Sequence, residues 1–115
     1  MRSLFIQPLF RPEASKGRAD IYDNGESYLL HLEAAGFTRE DFSITATESS
    51  VEILAERRKT PPAGFEGEDV VEAINRRFRF TQSIDSDAIK ATVKDGLLTL
   101  LLPKRSARRI EIAVA

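Results

Sequence analysis

Apolar and polar residues alternate in short segments along this chain, and no long window keeps apolar residues at a helical period. Strands are predicted by this alternation over residues 20–22, 28–34, 42–46, 51–55 and 70–80. Turn-forming residues separate several of these segments. The pattern therefore indicates antiparallel strands joined by short turns.

The hairpin near the end of the chain is specified most sharply. Asp95-Gly96 is a favoured pair for a two-residue hairpin loop, because both positions need a positive φ. This turn predicts that Val93 lies opposite Leu98 and that Ile89 lies opposite Leu102, which makes one face of the hairpin wholly apolar. Together with the other short strands, it predicts an all-β fold, an antiparallel immunoglobulin-like β-sandwich.

Two connections between the strands have features of their own. Thr38 and Asp41 have a capping-box spacing, which predicts a single helical turn over these residues. Residues 57–69 contain two prolines and two glycines and predict a long loop, which is uncommon unless the loop has a function. Phe65 is the only large apolar residue in that loop. It either tucks down against its own chain or contacts another molecule.

The amino-acid composition excludes several classes of functional site and of binding partner. The 115 residues fit one domain, and 17 basic against 18 acidic side chains give no general attraction to nucleic acid or to an anionic membrane. The absence of cysteine excludes disulfides, thiolate zinc sites and cysteine nucleophiles. The single histidine, His31, falls on the outer face of its strand, which favours an ordinary surface residue over a catalytic base. We therefore expect no enzyme activity, no cofactor and no metal site.

An arginine-rich segment follows the long loop. Arg76 shares the strand parity of the apolar Ile74 and Phe78, whereas Arg77 and Arg79 fall on the opposite face. An inward arginine needs a buried or intersubunit carboxylate, and a local bulge that turns Arg76 outward is the alternative. As a signal for RNA binding the segment is weak, because the chain has no basic excess.

The C-terminal residues do not look like part of the domain. Residues 104–109 carry four basic charges in six positions, which predicts an extended tether. The two isoleucines of Ile110-Glu111-Ile112 then point the same way on an extended chain. They form either a peptide for another subunit's groove or a last strand on their own sheet.

Two motifs lie near this end at a suggestive spacing: A-x-x-x-D-G-x-L at residues 91–98 and I-x-I at residues 110–112. With them, the sequence resembles the small heat-shock proteins, which are built on an α-crystallin domain. Three further segments fit the opening strands and the arginine-rich strand of that family: residues 20–22, 32–36 and 76–79. The resemblance covers residues 19–112. It implies the bacterial and plant type, with a short N-terminal arm over 1–18, an α-crystallin domain over 19–103 and a C-terminal extension over 104–115, both ends being flexible.

For function, the resemblance implies an ATP-independent chaperone, a holdase that binds unfolding client proteins and prevents their aggregation under heat or other stress. A cytoplasmic location is expected, with no binding to nucleic acid and no integral membrane segment. The arm is short for the family, but it carries an apolar patch that we expect to bind clients: Leu4, Phe5, Ile6, Leu9 and Phe10.

For assembly, the resemblance implies a homodimer formed by swapping the long loop, and higher homo-oligomers built through the tail. The expected dimer interface comprises Asp20, Ile21, Tyr22, Phe65 and Arg76. Ile110 and Ile112 are expected to dock in a groove whose walls are Ile44 and Ala46 on one side and Ile89, Ala91 and Val93 on the other.

The competing hypothesis is a co-chaperone or scaffold module that uses the same sandwich to bind one specific partner. Such a module has no reason to carry the I-x-I tail at residues 110–112. The breadth of clients distinguishes the two hypotheses.

Overall fold

In the computed structural model, which describes residues 18–105, the regular structure consists of β-strands and single 3-10 turns. The strands are β1 Ala19–Asp23, β2 Ser27–Glu33, β3 Phe42–Ala46, β4 Ser50–Lys59, β5 Val70–Arg79, β6 Lys90–Lys94 and β7 Leu97–Pro103. The two 3-10 turns are Arg39–Asp41 and Ser86–Ala88. All strand pairs are antiparallel, which confirms the predicted all-β class.

Two sheets enclose one core. The first has the strand order β1-β2-β7-β6 and the second the order β3-β4-β5. Alternate residues of the central strands β2, β7 and β4 face inward and are fully buried, among them Leu30, Leu100 and Ile53. Burial of each such side chain contributes roughly 1.5–3 kcal/mol. The central strands thus hold the sandwich together, and the edge strands β1, β6, β3 and β5 are left for other contacts.

The β6–β7 hairpin has the predicted turn. Asp95 and Gly96 both have positive φ, 53° and 78°, and Val93 lies opposite Leu98 as expected. The predicted pairing of Ile89 with Leu102 is wrong, because β6 begins only at Lys90. The 3-10 turn Ser86–Ala88, capped by the Asp85 side chain, occupies the chain up to Ile89 and stops the ladder there.

The β4–β5 hairpin is longer than the sequence predicted. The ladder continues to Lys59 opposite Val70, so the loop spans residues 60–69 and not 57–69. Arg57 lies directly opposite Glu72 and donates to it from Nε at 2.6 Å, which explains how charged residues extend the strand. Phe65 is 72% exposed, so the interpretation that it tucks against its own chain is wrong.

The same arginine fixes the connection between β2 and β3. Arg57 Nη1 donates to the Gly36 carbonyl oxygen at 2.7 Å, and the guanidinium lies 5.6 Å from the centre of the Phe37 ring. Gly36 has φ +90°, and a Cβ there would lie 2.7 Å from Arg57 Cζ. The predicted helical turn then forms as a 3-10 turn, in which Asp41 Oδ2 accepts a hydrogen bond from Thr38 N at 2.8 Å and Asp41 N donates to the Thr38 carbonyl oxygen at 2.9 Å.

Candidate assembly surfaces

The residues predicted to form the groove lie on two edge strands and beside one of them. β3 is an edge of one sheet and β6 an edge of the other. Four of the five side chains pack against the core while keeping part of their surface exposed: Ile44, Ala46, Ile89 and Val93. Ala91 is exposed, so the apolar face of the β6–β7 hairpin is only partly buried by the core. An edge strand offers unpaired N–H and C=O groups, and these residues add apolar surface beside them, which suits an extended apolar peptide.

The structure describes the first two residues of the predicted tail, Lys104 and Arg105, and both are hydrogen-bonded to the sandwich. Lys104 N donates to the Glu26 carbonyl oxygen, and Arg105 N donates to that of Ser83. Arg105 Nη1 also donates to Glu48 Oε2 at 2.7 Å, beside the β3–β4 turn. The first two residues of the expected tether are therefore bound to the sandwich. Ile110 and Ile112 lie outside the described residues.

Lys104 is the most strongly held of these side chains. It is only 9% exposed, donates to Asp23 Oδ1 at 2.8 Å and lies 4.7 Å from the centre of the Tyr28 ring. The sequence reasoning missed this contact, because 81 positions separate Lys104 from Asp23 and no local pattern connects them. The contact joins the last residue of β1 to the first residue after β7, so it fixes the position from which the tail starts.

The Lys104–Asp23 contact predicts a pH dependence. The hydrogen bond from Lys104, with a second from the Gly25 backbone, holds the pKa of Asp23 below its ordinary value. A carboxyl whose pKa is lowered by folding stabilises the folded state while it is ionised, and the contribution is lost as pH falls from about 4. We expect Asp23→Asn to lower the melting temperature at about pH 7 and to have a progressively smaller effect as the pH falls below about 4. An equal effect at both pH values would contradict this assignment.

The residues predicted for the dimer interface are largely uncovered in the single chain. On edge strand β1, Ile21 is 43% and Tyr22 is 52% exposed, and Asp20 is exposed as well. Phe65 in the 60–69 loop is 72% exposed, and Val70, the first residue after the loop, is 50% exposed. Large exposed apolar side chains at a sheet edge and on a loop are typical of interaction sites.

Arg76 lies where its strand parity placed it. The ladder is continuous through Arg76, which lies opposite the buried Ile53, so the alternative of a local bulge is wrong. The side chain is half-buried on the inner face, and its guanidinium lies 5.0 Å from the centre of the Phe78 ring. Arg77 points to the outer face and donates to Glu52 at 3.0 Å.

Residues 18–105 contain neither a group of residues suited to a metal ion nor a helix suited to crossing a membrane. Between residues 18 and 105, no three His, Cys, Asp or Glu side chains are grouped so as to hold a metal ion. His31 is half-buried on an outer sheet face, and its ring forms a T-shaped pair with that of Tyr22, at 5.6 Å between ring centres. Within the same range, no helix is long and apolar enough to cross a membrane. The predicted client-binding arm, residues 4–10, lies outside the described residues.

The fold and these surfaces define a β-sandwich whose edges carry apolar side chains. The sequence model of the Hsp20/alpha crystallin family matches residues 20–115, and the chain therefore belongs to this family. That finding confirms the resemblance derived from the A-x-x-x-D-G-x-L and I-x-I motifs.

Curated proteins with a similar sequence include a bacterial and a plant protein. Spore protein SP21 of Stigmatella aurantiaca is 27% identical over 109 residues, covering 89% of this chain and 64% of its own length. The 22.7 kDa class IV heat shock protein of Pisum sativum is 28% identical over 102 residues, covering 84% of this chain and 52% of its own. The chain thus spans less than two thirds of the length of these two relatives.

Solved structures show the same fold. A small heat-shock protein from Xylella fastidiosa, whose crystal structure is described as revealing a distinct high order structure, is 26% identical and superposes with a TM-score of 0.63. The alignment covers 85% of this chain and 96% of that one. The rat alpha crystallin domain superposes with a TM-score of 0.60 at 18% identity and shows the fold alone.

Proposed function

We propose that this protein is an ATP-independent holdase, which binds unfolding client proteins under heat or other stress and keeps them from aggregating. The observation that carries the proposal is the family match over residues 20–115, because membership in the small heat-shock proteins supports a chaperone role in general. The holding activity itself, the clients and a cytoplasmic location belong to the proposal.

Client binding is assigned to the apolar arm, Leu4, Phe5, Ile6, Leu9 and Phe10. An unfolding protein exposes apolar surface of irregular shape. Contact between two such surfaces contributes about 25 cal/mol for each Å² removed from water and requires no fixed geometry. A short segment rich in Leu, Ile and Phe can therefore bind many unrelated clients weakly.

Assembly is assigned to two contacts between copies of the chain. In the first, the 60–69 loop crosses to the partner and places Phe65 near edge strand β1. The exposure of Phe65, Ile21 and Tyr22 in the single chain supports this dimer. In the second, Ile110 and Ile112 dock at the β3 and β6 edges of another copy, which the partly exposed groove residues support.

The swapped-loop dimer predicts a large effect at Phe65. Phe65→Ser is expected to weaken dimerisation by about ten-fold or more, because burial of a phenylalanine side chain contributes roughly 1.5–3 kcal/mol. Glu66→Ser, the neighbouring exposed loop position, is the matched control and should leave the dimer intact. Sedimentation equilibrium of both variants measures the dissociation constants. Equal dimer dissociation constants for the two variants would show that Phe65 does not contribute to the interface.

The proposed function is tested by the breadth of clients. Three unrelated proteins are heated separately past their melting temperatures without nucleotide, and light scattering follows their aggregation with and without this protein. A holdase suppresses the aggregation of all three. Suppression of none of them, together with tight binding to a single cellular protein, would favour the co-chaperone or scaffold module instead.

A further inference from the structure

The chain has two asparagines, and only one of them precedes a glycine. Asn24 is followed by Gly25 in the turn between β1 and β2. Asn75 is followed by Arg76 within β5. Both asparagines are exposed, so the two sites differ in the residue that follows and in their local hydrogen bonds rather than in access to water.

Asparagine is thermolabile, because the backbone nitrogen of the following residue can attack its side-chain amide carbon. Glycine permits this approach best, since it has no Cβ beside its own nitrogen. At this turn, Gly25 N loses its proton and bonds to Asn24 Cγ, while the Cγ–Nδ2 bond breaks and Nδ2 leaves with that proton as ammonia. Water then opens the resulting succinimide ring at either carbonyl carbon, which leaves aspartate or isoaspartate at residue 24.

The folded turn holds both reacting groups in hydrogen bonds. Asn24 Oδ1 accepts from Glu26 N at 2.9 Å and from Ser27 N at 2.8 Å, which fixes the side-chain amide. Gly25 N donates to Asp23 Oδ1 at 2.8 Å. The Asp23 carboxylate opposes loss of the Gly25 amide proton, because two negative charges would then be in contact. Closure of the succinimide ring therefore requires these hydrogen bonds to break first.

We propose that Asn24 is a site of spontaneous deamidation that the closed β1–β2 turn protects, so that the modified fraction records how long the turn has been open. The Lys104–Asp23 contact controls this protection. Lys104 is 9% exposed and donates to Asp23 Oδ1, the same oxygen atom that accepts from Gly25 N. Release of Lys104 therefore frees the Asp23 side chain and weakens its hold on Gly25 N.

The modification changes the turn irreversibly. In isoaspartate the main chain runs through the former side chain, which lengthens the backbone at residue 24. Asp23, directly before it, lies opposite Tyr28 at the end of the β1–β2 ladder. A longer turn disrupts that pairing and loosens edge strand β1, which carries Ile21 and Tyr22. Under the proposed dimer, on which this last consequence alone rests, the modified chain dimerises more weakly.

Peptide mapping by liquid chromatography and mass spectrometry measures deamidation in the full-length protein. The protein is incubated at neutral pH below its melting temperature and digested after increasing times. Peptides with aspartate or isoaspartate at residue 24 elute separately, and both are heavier than the asparagine peptide. Asn24 should convert steadily, whereas Asn75 in the same digests should stay intact. Equal conversion of the two asparagines would overturn the inference.

Lys104→Gln tests the control by the Lys104–Asp23 contact. Loss of this charged hydrogen bond is expected to raise the rate of conversion at Asn24 by about ten-fold or more, because the turn opens more often. The matched control is Arg105→Gln, since Arg105 is the neighbouring basic residue and donates to Glu48, outside the β1–β2 turn. Arg105→Gln should keep the parent rate. Equal rates in the two variants would contradict the proposal.

The parent protein in urea gives a second measurement, which serves if Lys104→Gln does not fold. Unfolding removes the hydrogen bonds of the turn, so conversion at Asn24 should be about ten-fold or more faster than in the native protein. Equal rates in the native and unfolded protein would show that the turn gives no protection and would also refute the inference. Neither a client nor a dimer is measured, so a failure here is distinct from a failure of the proposed function.

Discussion

Replacement of both Ile110 and Ile112 with alanine is expected to reduce the native mass of the protein to that of a dimer. Burial of two isoleucine side chains contributes roughly 3–6 kcal/mol. Ordering the residues that join them to Arg105 opposes docking, so the net free energy is small. Loss of most of the apolar contribution then leaves no net attraction, and the copies separate into loop-swapped dimers.

Native mass from size-exclusion chromatography with light scattering measures this effect. Glu111→Ala is the matched control, because on an extended chain its side chain points away from the two isoleucines, and it should keep the parent mass. Val93→Thr makes a partly exposed groove position polar, so it weakens the surface that receives the tail and should also lower the native mass. An unchanged native mass after both isoleucine substitutions would contradict the proposal that the tail docks in the groove.

Arg76→Ala is expected to lower both the melting temperature and the dimer affinity severely. The side chain is half-buried on the inner face of β5. The resemblance to the family implies that this arginine lies at the dimer interface and pairs with a carboxylate there. Removal of one member of a buried ion pair costs roughly 3–5 kcal/mol, because the other charge is left without compensation. That amount is a large fraction of the stability of a small domain.

Arg77→Ala supplies the control on the same strand. Arg77 faces outward and pairs with Glu52 at the surface, where such a pair contributes about 0–1 kcal/mol. Thermal unfolding and sedimentation of both variants compare the two faces of β5 directly. If Arg76→Ala behaved like Arg77→Ala, Arg76 would be an ordinary surface residue.

Local chemistry made much of the fold predictable. Period-2 alternation located the strands, and Asp95-Gly96 set the register of the last hairpin because a two-residue loop fixes which residues face each other. The extension of β4 was not predictable, since it depends on Arg57 reaching both Glu72 and the Gly36 carbonyl oxygen. These partners lie 15 and 21 positions away, and the charged run 57–59 on its own indicates a loop.

The assembly surfaces were predictable in a different way. Strand parity placed Arg76 on the inner face. The hairpin register and the resemblance together suggested the groove residues, and the structure locates these on or beside edge strands. Which segment of another copy binds at each of these surfaces stays a prediction, because a contact between copies leaves no local sequence pattern beyond exposed apolar residues.

The most direct test of the holdase is the fate of one client at its melting temperature. The client is heated without nucleotide, alone and with an excess of the full-length protein, and the supernatant is analysed by size-exclusion chromatography with light scattering. The proposed function predicts that the client remains in the supernatant in a complex heavier than either protein alone. A client that pellets to the same extent in both samples would contradict it.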